Sequence, residues 1–277
     1  MTMITNAIGF QQGQLGDLVI ATVAARAFKQ QFPDARLTFG IAEKYRDALP
    51  LFFCNKHIND FHIWDGYDNW PTKLDREYMY FRGFDRVFNA MPPHSRPDWY
   101  NYRTYGEENC IRFGLKVPDD TSYELVQWFP LSEGHKKTIT LSLFPSAGQL
   151  HKTMPVDECE KLCVYLKAAG YSPVQIGGKF EYVRLANAYA PHLSIFEATK
   201  LMLSSAFHIT ADTAFSSIAA AYKHPVLGFY GINYPDMVDC FSHLPPNPNA
   251  IYIKNRDPQT VKADELMTLA QEGGLLT

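Results

Sequence analysis

Two successive series of alternating strands and helices constrain the fold of this 277-residue chain more than any other feature. In the first series, short apolar runs of the kind that form buried strands alternate with segments whose apolar residues share one helix face. The predicted elements are a strand over Asn6–Phe10, a helix over Asp17–Phe32, a strand over Arg36–Ala42, a short helix over Tyr45–Phe53 and a strand over Ile58–Trp64. Because this order recurs as strand, helix, strand, it predicts a parallel sheet.

The second series follows Pro130–Lys137, a stretch that contains proline, glycine and charged residues. It predicts strands over Thr138–Phe144, Ser172–Ile176, Phe207–Thr210 and Pro225–Phe229, and helices over Val156–Ala169, Tyr182–Tyr189, Phe196–Ser204, Phe215–Tyr222 and Val261–Gln271. Between the two series, only Phe84–Asn89 and Arg103–Phe113 read as regular elements. The sequence therefore predicts an α/β protein with two Rossmann-like domains that face a cleft and have mostly parallel sheets. The predicted domains are residues 1–134 and 135–277, with the last helix able to pack back on the first domain.

The composition of the chain argues against several classes of function. The formal net charge of −3 argues against a nucleic-acid partner, although five arginines could form a local basic stripe (Arg82, Arg86, Arg96, Arg103 and Arg112). The five cysteines leave at least one unpaired, which suits a reducing compartment. No apolar run approaches the roughly 18 residues of a spanning helix, and the first twenty residues contain no basic residue. These features predict a cytoplasmic protein.

The first candidate site is the loop Gly13–Asp17, which contains Gly13, Gly16 and Asp17 and joins the first strand to a helix. Backbone amides in such a loop favour an anion or another polar ligand. The loop matches neither the dinucleotide fingerprint nor the Walker sequence. A cap on the following helix is the alternative role for Asp17.

Two further candidates follow strands of the second series. Phe144–Pro155 contains Ser146 and Lys152, and this lysine could meet a phosphate or simply lie on the solvated surface. Gly177 and Gly178 would allow a ligand to approach closely, and Glu181 could bind a ribose diol. A plain turn followed by an acidic residue at a helix start is the alternative explanation.

The fourth candidate is the most informative. A strand ends at Asp212, and a helix of small residues begins at once. The sequence predicts that unpaired amides of Thr213, Ala214 and Phe215 point outward, as a diphosphate site requires. An Asx-type helix cap would explain the same residues locally.

The order of these four segments resembles glycosyltransferase family 9, the ADP-heptose:lipopolysaccharide heptosyltransferase-like family with a two-domain GT-B fold. The Gly-Asp signature is matched by Gly16–Thr22, and the Lys-x-Trp-Pro signature by Lys152–Pro155. The Gly-Gly-x-x-Glu signature is matched by Gly177–Glu181, and the Asp-Thr-Gly-x-x-His signature by Asp212–Ser217. Three positions depart from the pattern: Met154 stands for tryptophan, Ala214 for glycine and Ser217 for histidine.

The resemblance implies an inverting, metal-independent enzyme of the EC 2.4 class that moves a sugar from a nucleotide diphosphate to an acceptor hydroxyl. The implied enzyme requires no cofactor, and the nucleotide-diphosphate sugar is its co-substrate. Asp17 would be the general base, while Lys152 and the helix start at Asp212–Phe215 would stabilise the departing diphosphate. Glu181 would hold the ribose. Ser146 and the two glycines before Glu181 complete the implied donor site.

The implied acceptor is a glycolipid or surface saccharide at the cytoplasmic face of a membrane, which implies peripheral membrane contact. Gly13, Gly16, Trp70 and Tyr102 are the candidate residues on the acceptor side, since aromatic rings stack on sugar faces. Core packing is the alternative role for the two aromatic residues. Two other functions stay open: a transferase that acts on a protein, small molecule or modified nucleic-acid base, and an inactive protein that binds nucleotide sugars.

Overall fold

A computed structural model describes residues 4–11, 14–64, 83–90, 103–145, 152–177, 183–232 and 240–276 of the chain. The described residues form two compact units, which divide between Trp128 and Phe129. This division lies close to the boundary predicted between residues 134 and 135. Each unit contains one sheet, and all strand pairs in both sheets are parallel.

The first unit is built on a four-stranded sheet. Its elements are β1 (Asn6–Gln11), α1 (Leu15–Ile20), α2 (Thr22–Gln31), β2 (Arg36–Ala42), a 3-10 helical segment (Glu43–Phe52), β3 (Asp60–Trp64), β4 (Arg86–Ala90) and α3 (Tyr105–Arg112). The strands have the order β3-β2-β1-β4 in the sheet. The helix α2 buries Val23, Ala27 and Phe28, which recur at helical spacing.

The second unit is built on a five-stranded sheet, whose strands are β5 (Thr138–Ser142), β6 (Ser172–Gln175), β7 (Phe207–Thr210), β8 (Val226–Tyr230) and β9 (Ala250–Lys254). They have the order β6-β5-β7-β8-β9 in the sheet. Its helices are α4 (Val156–Ala168), α5 (Ile195–Ser204), α6 (Ala214–Ala221) and α7 (Ala263–Glu272), with 3-10 turns at Glu133–His135, Phe241–His243 and Pro258–Thr260.

The last helix packs within the second unit. Leu266 and Ala270 of α7 are buried in the same apolar cluster as Leu162 and Leu166 of α4. The Glu158 carboxylate of α4 accepts a hydrogen bond of 2.8 Å from the backbone N–H of Ala263. This bond satisfies one of the amides that a helix start leaves without an intrahelical partner.

The α/β class and the parallel sheets predicted from the sequence are confirmed, but two predicted helices differ. The first is divided at Ala21 into α1 and α2. The predicted helix over Tyr182–Tyr189 is wrong for residues 183–189, which form a turn and a bridge to β6. The buried Gln175 side chain contacts this segment, accepting from the N–H of Leu185 and donating to the carbonyl of Val183. These tertiary contacts override the local helical pattern.

The strand β9 was not predicted from the sequence, yet it explains a glycine. Tyr252 of β9 packs over Gly228 of β8, where a Cβ atom would lie 2.9 Å from the tyrosine ring. A side chain at position 228 would therefore displace the ring. No helix among the described residues is both long and apolar enough to cross a membrane.

Candidate functional site

The carboxyl end of β7 and the start of α6 form the centre of the candidate site in the second unit. The strand ends at Thr210, and α6 begins at Ala214. Asp212, Thr213 and Ala214 are half-buried between them. In parallel α/β sheets, ligands bind at this end of the strands.

Lys152 and Asp212 lie in contact at this site. The Lys152 Nζ atom is 2.7 Å from Asp212 Oδ2, and the two side chains are 16% and 21% exposed. Met154, two residues after the lysine, is buried in the apolar cluster of the unit. The methionine that replaces the tryptophan of the family signature thus anchors the segment from which Lys152 reaches Asp212.

The helix α6 begins without a cap from its own first residue. Thr213 is the N-cap residue, but its side chain caps no backbone amide of the helix. The predicted outward amide of Thr213 is wrong, because this N–H donates to the Ala211 carbonyl at 2.8 Å. Within the described part of the chain, no hydrogen bond reaches the amides of Ala214 and Phe215. These two amides can therefore donate to an anion, with the helix dipole in support.

His243 is a neighbour of the ion pair that sequence reasoning missed. Burial lowers the pKa of His243 to about 4, while the charge of Asp212 raises it and that of Lys152 lowers it. The histidine lies in a 3-10 turn after β8, outside the four segments that resemble the family signatures. No sequence signal distinguished it from the other eight histidines.

The predicted glycine-rich site after β6 is only partly described. Gly177 follows the strand and is partly exposed. Gly178, Glu181 and Ser146 lie outside the described residues. Beyond the gap, the Glu160 carboxylate accepts from the N–H of Asn187 at 2.9 Å.

In the first unit, Asp17 lies in the first turn of α1 and is partly exposed. Its Oδ2 atom accepts a hydrogen bond of 2.6 Å from the backbone N–H of Gln14. The predicted helix cap is therefore present. The Tyr45 hydroxyl donates to Gln14 Oε1, and burial, followed by the charge of Asp17, raises the pKa of Tyr45 to about 12.

The remaining candidates on the acceptor side are sparsely described. Gly16 lies within α1 and is partly exposed. Gly13, Trp70 and Tyr102 lie outside the described residues, so their predicted roles stay predictions. Among the residues that are described, no group of three or more His, Cys, Asp or Glu side chains could hold a metal ion.

No protein-family model matches the chain, and no curated protein sequence matches it. Several solved structures do match the chain. The E. coli ADP-heptose LPS heptosyltransferase II matches with a TM-score of 0.74 and 14% identity, over 98% of each chain. A glycosyl transferase family 9 protein from Veillonella parvula matches with a TM-score of 0.72 and 15% identity, over 99% of this chain and 98% of the other.

A third structure is TibC from E. coli, which is described as an iron-containing heptosyltransferase in complex with ADP-D-β-D-heptose. It matches with a TM-score of 0.64 and 15% identity, over 91% of this chain and 63% of that chain. The resemblance drawn from the four sequence segments is thus confirmed at the level of the fold. The chain has the fold of the heptosyltransferases and of a family 9 glycosyltransferase.

Proposed function

We propose that this protein is an inverting, metal-independent glycosyltransferase that moves a sugar from a nucleoside diphosphate to an acceptor hydroxyl on a glycolipid or surface saccharide. One observation carries the proposal. Lys152 and Asp212, 60 positions apart in the sequence, form an ion pair beside two helix amides that have no protein partner among the described residues. In a chain with a heptosyltransferase fold, this lysine and these amides could bind the diphosphate of a nucleotide sugar.

The proposed chemistry assigns each group one task. As the bond to the sugar breaks, negative charge grows on the departing diphosphate, and fixed donors stabilise such charge without reorganisation. Lys152 and the amides of Ala214 and Phe215 are the proposed donors. Asp17 is the proposed general base. It takes the proton of the acceptor hydroxyl while the oxygen of that hydroxyl attacks the anomeric carbon of the sugar.

Nucleotide binding and turnover test this proposal directly. A thermal-shift panel of nucleoside diphosphates and nucleotide sugars should show one base preferred, since a ligand that binds only the folded state stabilises it by about 2.7 kcal/mol at 100 times its dissociation constant. The stabilising nucleotide sugar should then release free nucleoside diphosphate when acceptor is added. If every nucleotide leaves the midpoint unchanged, the proposal is wrong.

We expect chelation to leave the transfer rate unchanged. The proposed site stabilises the diphosphate with a lysine and backbone amides, which take the role a divalent ion has elsewhere. Activity would be measured after treatment with EDTA and after dialysis against Fe²⁺ and Mg²⁺, because TibC is described as iron-containing. Loss of activity on chelation, with recovery on adding one metal, would contradict metal independence.

Replacing Lys152 with Ala is expected to weaken ADP binding by about tenfold. Loss of one charge-assisted hydrogen bond removes about 1.5 kcal/mol, which corresponds to that factor. Calorimetry with ADP measures the effect, and Lys167→Ala, an exposed lysine near the end of α4, is the control. Equal affinity of the Lys152 and Lys167 variants would refute the phosphate assignment.

A second substitution separates two ways in which Lys152 could act. The lysine could contact the diphosphate, or it could only neutralise Asp212, with which it is paired. In the second case Asp212→Asn in the Lys152→Ala background restores the ADP affinity. We expect the double variant to stay weak, because the proposal gives the lysine a direct contact with phosphate.

Replacement of the family glycine and histidine by Ala214 and Ser217 favours one competing function, a protein that binds nucleotide sugars without turning them over. Ser217 is buried within α6, so it replaces the histidine with a short side chain. Binding of a nucleotide sugar without any release of nucleoside diphosphate across an acceptor panel would support this alternative.

A further inference from the structure

A chain of buried polar side chains leads from the middle of the second sheet to Thr213 at the start of α6. Its members are Thr140 and Ser142 of β5, His208 and Thr210 of β7, and Thr213. The His208 side chain has no exposed surface, and Ser142 and Thr210 are almost as deeply buried. Buried polar groups in a sheet are costly unless they are hydrogen-bonded, so this chain needs a specific arrangement.

The direction of the hydrogen bonds follows from the Thr140 carbonyl, which can only accept. His208 Nδ1 lies 3.0 Å from both the backbone oxygen and the hydroxyl oxygen of Thr140. Because the carbonyl cannot donate, Nδ1 carries the proton. Burial lowers the pKa of His208 to about 3, with a smaller contribution from the charge of His224, so the ring is neutral. Its Nε2 atom therefore accepts, and the Ser142 hydroxyl at 2.8 Å donates to it.

The Ser142 hydroxyl gives its proton to His208, so toward its other neighbours its oxygen can only accept. Thr213 Oγ1 lies 2.9 Å from it, and Thr210 Oγ1 lies 2.8 Å away. Thr210 has a carbonyl acceptor of its own, that of Ala211 at 2.7 Å. Thr213 Oγ1 also lies 3.1 Å from Thr210 Oγ1, so the Thr213 hydroxyl has two buried acceptors, of which Ser142 is the nearer. Both acceptors lie on strands of the sheet, which turns the Thr213 side chain toward the sheet and away from its own helix.

This orientation is unusual for its position. Threonine at an N-cap ordinarily accepts a hydrogen bond from the amide of the second or third helical residue, here Phe215 or Ser216. Thr213 makes no such bond, and the Phe215 amide has no hydrogen-bond partner among the described residues. The amide that the proposed donor site needs is one that the cap would otherwise occupy.

We propose that Ser142, fixed by His208, is a positioning residue that keeps the start of α6 uncapped for the nucleotide diphosphate by holding the Thr213 hydroxyl away from the helix amides. This inference rests on the proposed function, because it concerns the same donor site. Ser142 itself touches no part of the donor in this assignment. It acts through Thr213.

The decisive experiment is a double-mutant cycle with ADP as the probe. In Ser142→Ala the Thr213 hydroxyl loses the nearer of its two buried acceptors, so we expect it to rotate and cap Phe215, and ADP must then displace the cap. We expect about fivefold weaker ADP binding, the factor that corresponds to one N-cap hydrogen bond. In the Thr213→Val background no cap can form, so the same serine substitution should leave the ADP affinity of that background unchanged. An equal loss in both backgrounds, or no loss in either, overturns the proposal.

Amide hydrogen exchange separates failure of this inference from failure of the proposed function. Without nucleotide, the Phe215 amide should exchange rapidly in the wild type, become about fivefold protected in Ser142→Ala, and lose that protection when Thr213→Val is added. This pattern tests the capping switch even if the protein binds no ADP. Absence of protection in Ser142→Ala refutes the inference independently of the donor.

A second variant keeps the inference testable if Ser142→Ala does not fold. Asn is a stronger N-cap residue than Thr, so Thr213→Asn should protect the Phe215 amide and weaken ADP binding, while the hydrogen bond between Ser142 and His208 stays in place. Thr199→Val, which removes a buried hydroxyl of α5 that donates to the Ile195 carbonyl at 2.8 Å, is the control for loss of a buried hydroxyl outside this chain of side chains. Equal effects of the two substitutions on Phe215 exchange would contradict the assigned role of Thr213.

Discussion

Asp17→Asn is expected to lower kcat by several hundredfold while donor binding changes less than twofold. The amide cannot take the proton of the acceptor hydroxyl, and positioned proton transfer supplies about 10² to 10⁴ in rate. A loss of this size corresponds to about 3.5 kcal/mol in the activation free energy. Steady-state kinetics with saturating donor and acceptor would measure kcat, and calorimetry with ADP would measure donor binding.

The helix-capping role of Asp17 requires a control of equal structural effect. Glu107 occupies the same position in α3, where its carboxylate accepts from the backbone N–H of Thr104 at 2.7 Å. Glu107→Gln removes a comparable capping charge, which stabilises a helix start by about 0.3–1 kcal/mol, and should leave kcat unchanged. If Asp17→Asn retains more than about a tenth of the wild-type kcat, Asp17 is a helix cap and not the base.

Arg26→Met is expected to destabilise the first unit by about 2–3 kcal/mol. The Arg26 side chain is 8% exposed and its Nη2 atom lies 2.8 Å from Glu124 Oε2, while Nη1 donates to the Asp120 carbonyl at 2.6 Å. Removing one partner of a buried pair leaves the other charge poorly compensated, which costs up to about 3–5 kcal/mol. The expected value is smaller because Glu124 keeps contact with His57.

Tryptophan fluorescence during urea unfolding would measure this change in the first unit. Trp64 and Trp128, both among the described residues, belong to this unit. The control is Arg36→Met, because the ion pair of Arg36 with Asp60 is mostly exposed, and such pairs contribute about 0–1 kcal/mol. If the two variants unfold at the same urea concentration, the Arg26 pair contributes no special stability.

The same ion-pair cluster makes the stability of the first unit depend on pH. Burial lowers the pKa of His57 below its ordinary value of 6.5. Burial alone would raise the pKa of Glu124, but the Arg26 hydrogen bond and the charges of His57, Arg26 and Lys56 lower it below 4.5 overall. Both groups bind fewer protons when folded than when unfolded, so stability is full above about pH 6.5. Stability falls as the pH drops from about 6.5 through the folded pKa of His57. It falls again as the pH drops through the folded pKa of Glu124.

Arg26→Met should reduce the acid part of this loss. Without the arginine, the folded pKa of Glu124 moves back toward its unfolded value, and the difference in bound protons between the two states becomes smaller. Urea unfolding at pH 7, 5 and 4 would show a flatter dependence in the variant below pH 5. An unchanged slope would mean that other carboxylates cause the acid sensitivity.

The order of strands and helices could be predicted from the sequence because each element has its own periodicity of apolar residues. The spacing of Val23, Ala27 and Phe28 already placed a buried face on α2, and the glycine loops marked the carboxyl ends of strands. The ends of the elements, and the segments that depart from their local pattern, were harder to predict from the sequence. The buried amide of Gln175 holds residues 183–185 out of a helix, and the contact between Tyr252 and Gly228 that accompanies β9 joins residues far apart in the sequence.

The sequence by itself determined the α/β class, the order of the elements and the four segments that resemble the family, since these depend on local periodicity and on residues near one another in the chain. It left each segment with two roles. Only the tertiary structure decided that Lys152 pairs with Asp212, that the amide of Thr213 is bonded to the Ala211 carbonyl, and that the Thr213 hydroxyl lies against Ser142. The first and third are contacts between side chains more than 50 positions apart in the sequence, and the second depends on how the backbone turns between β7 and α6. Neither kind of hydrogen bond leaves a periodic signal in a sequence.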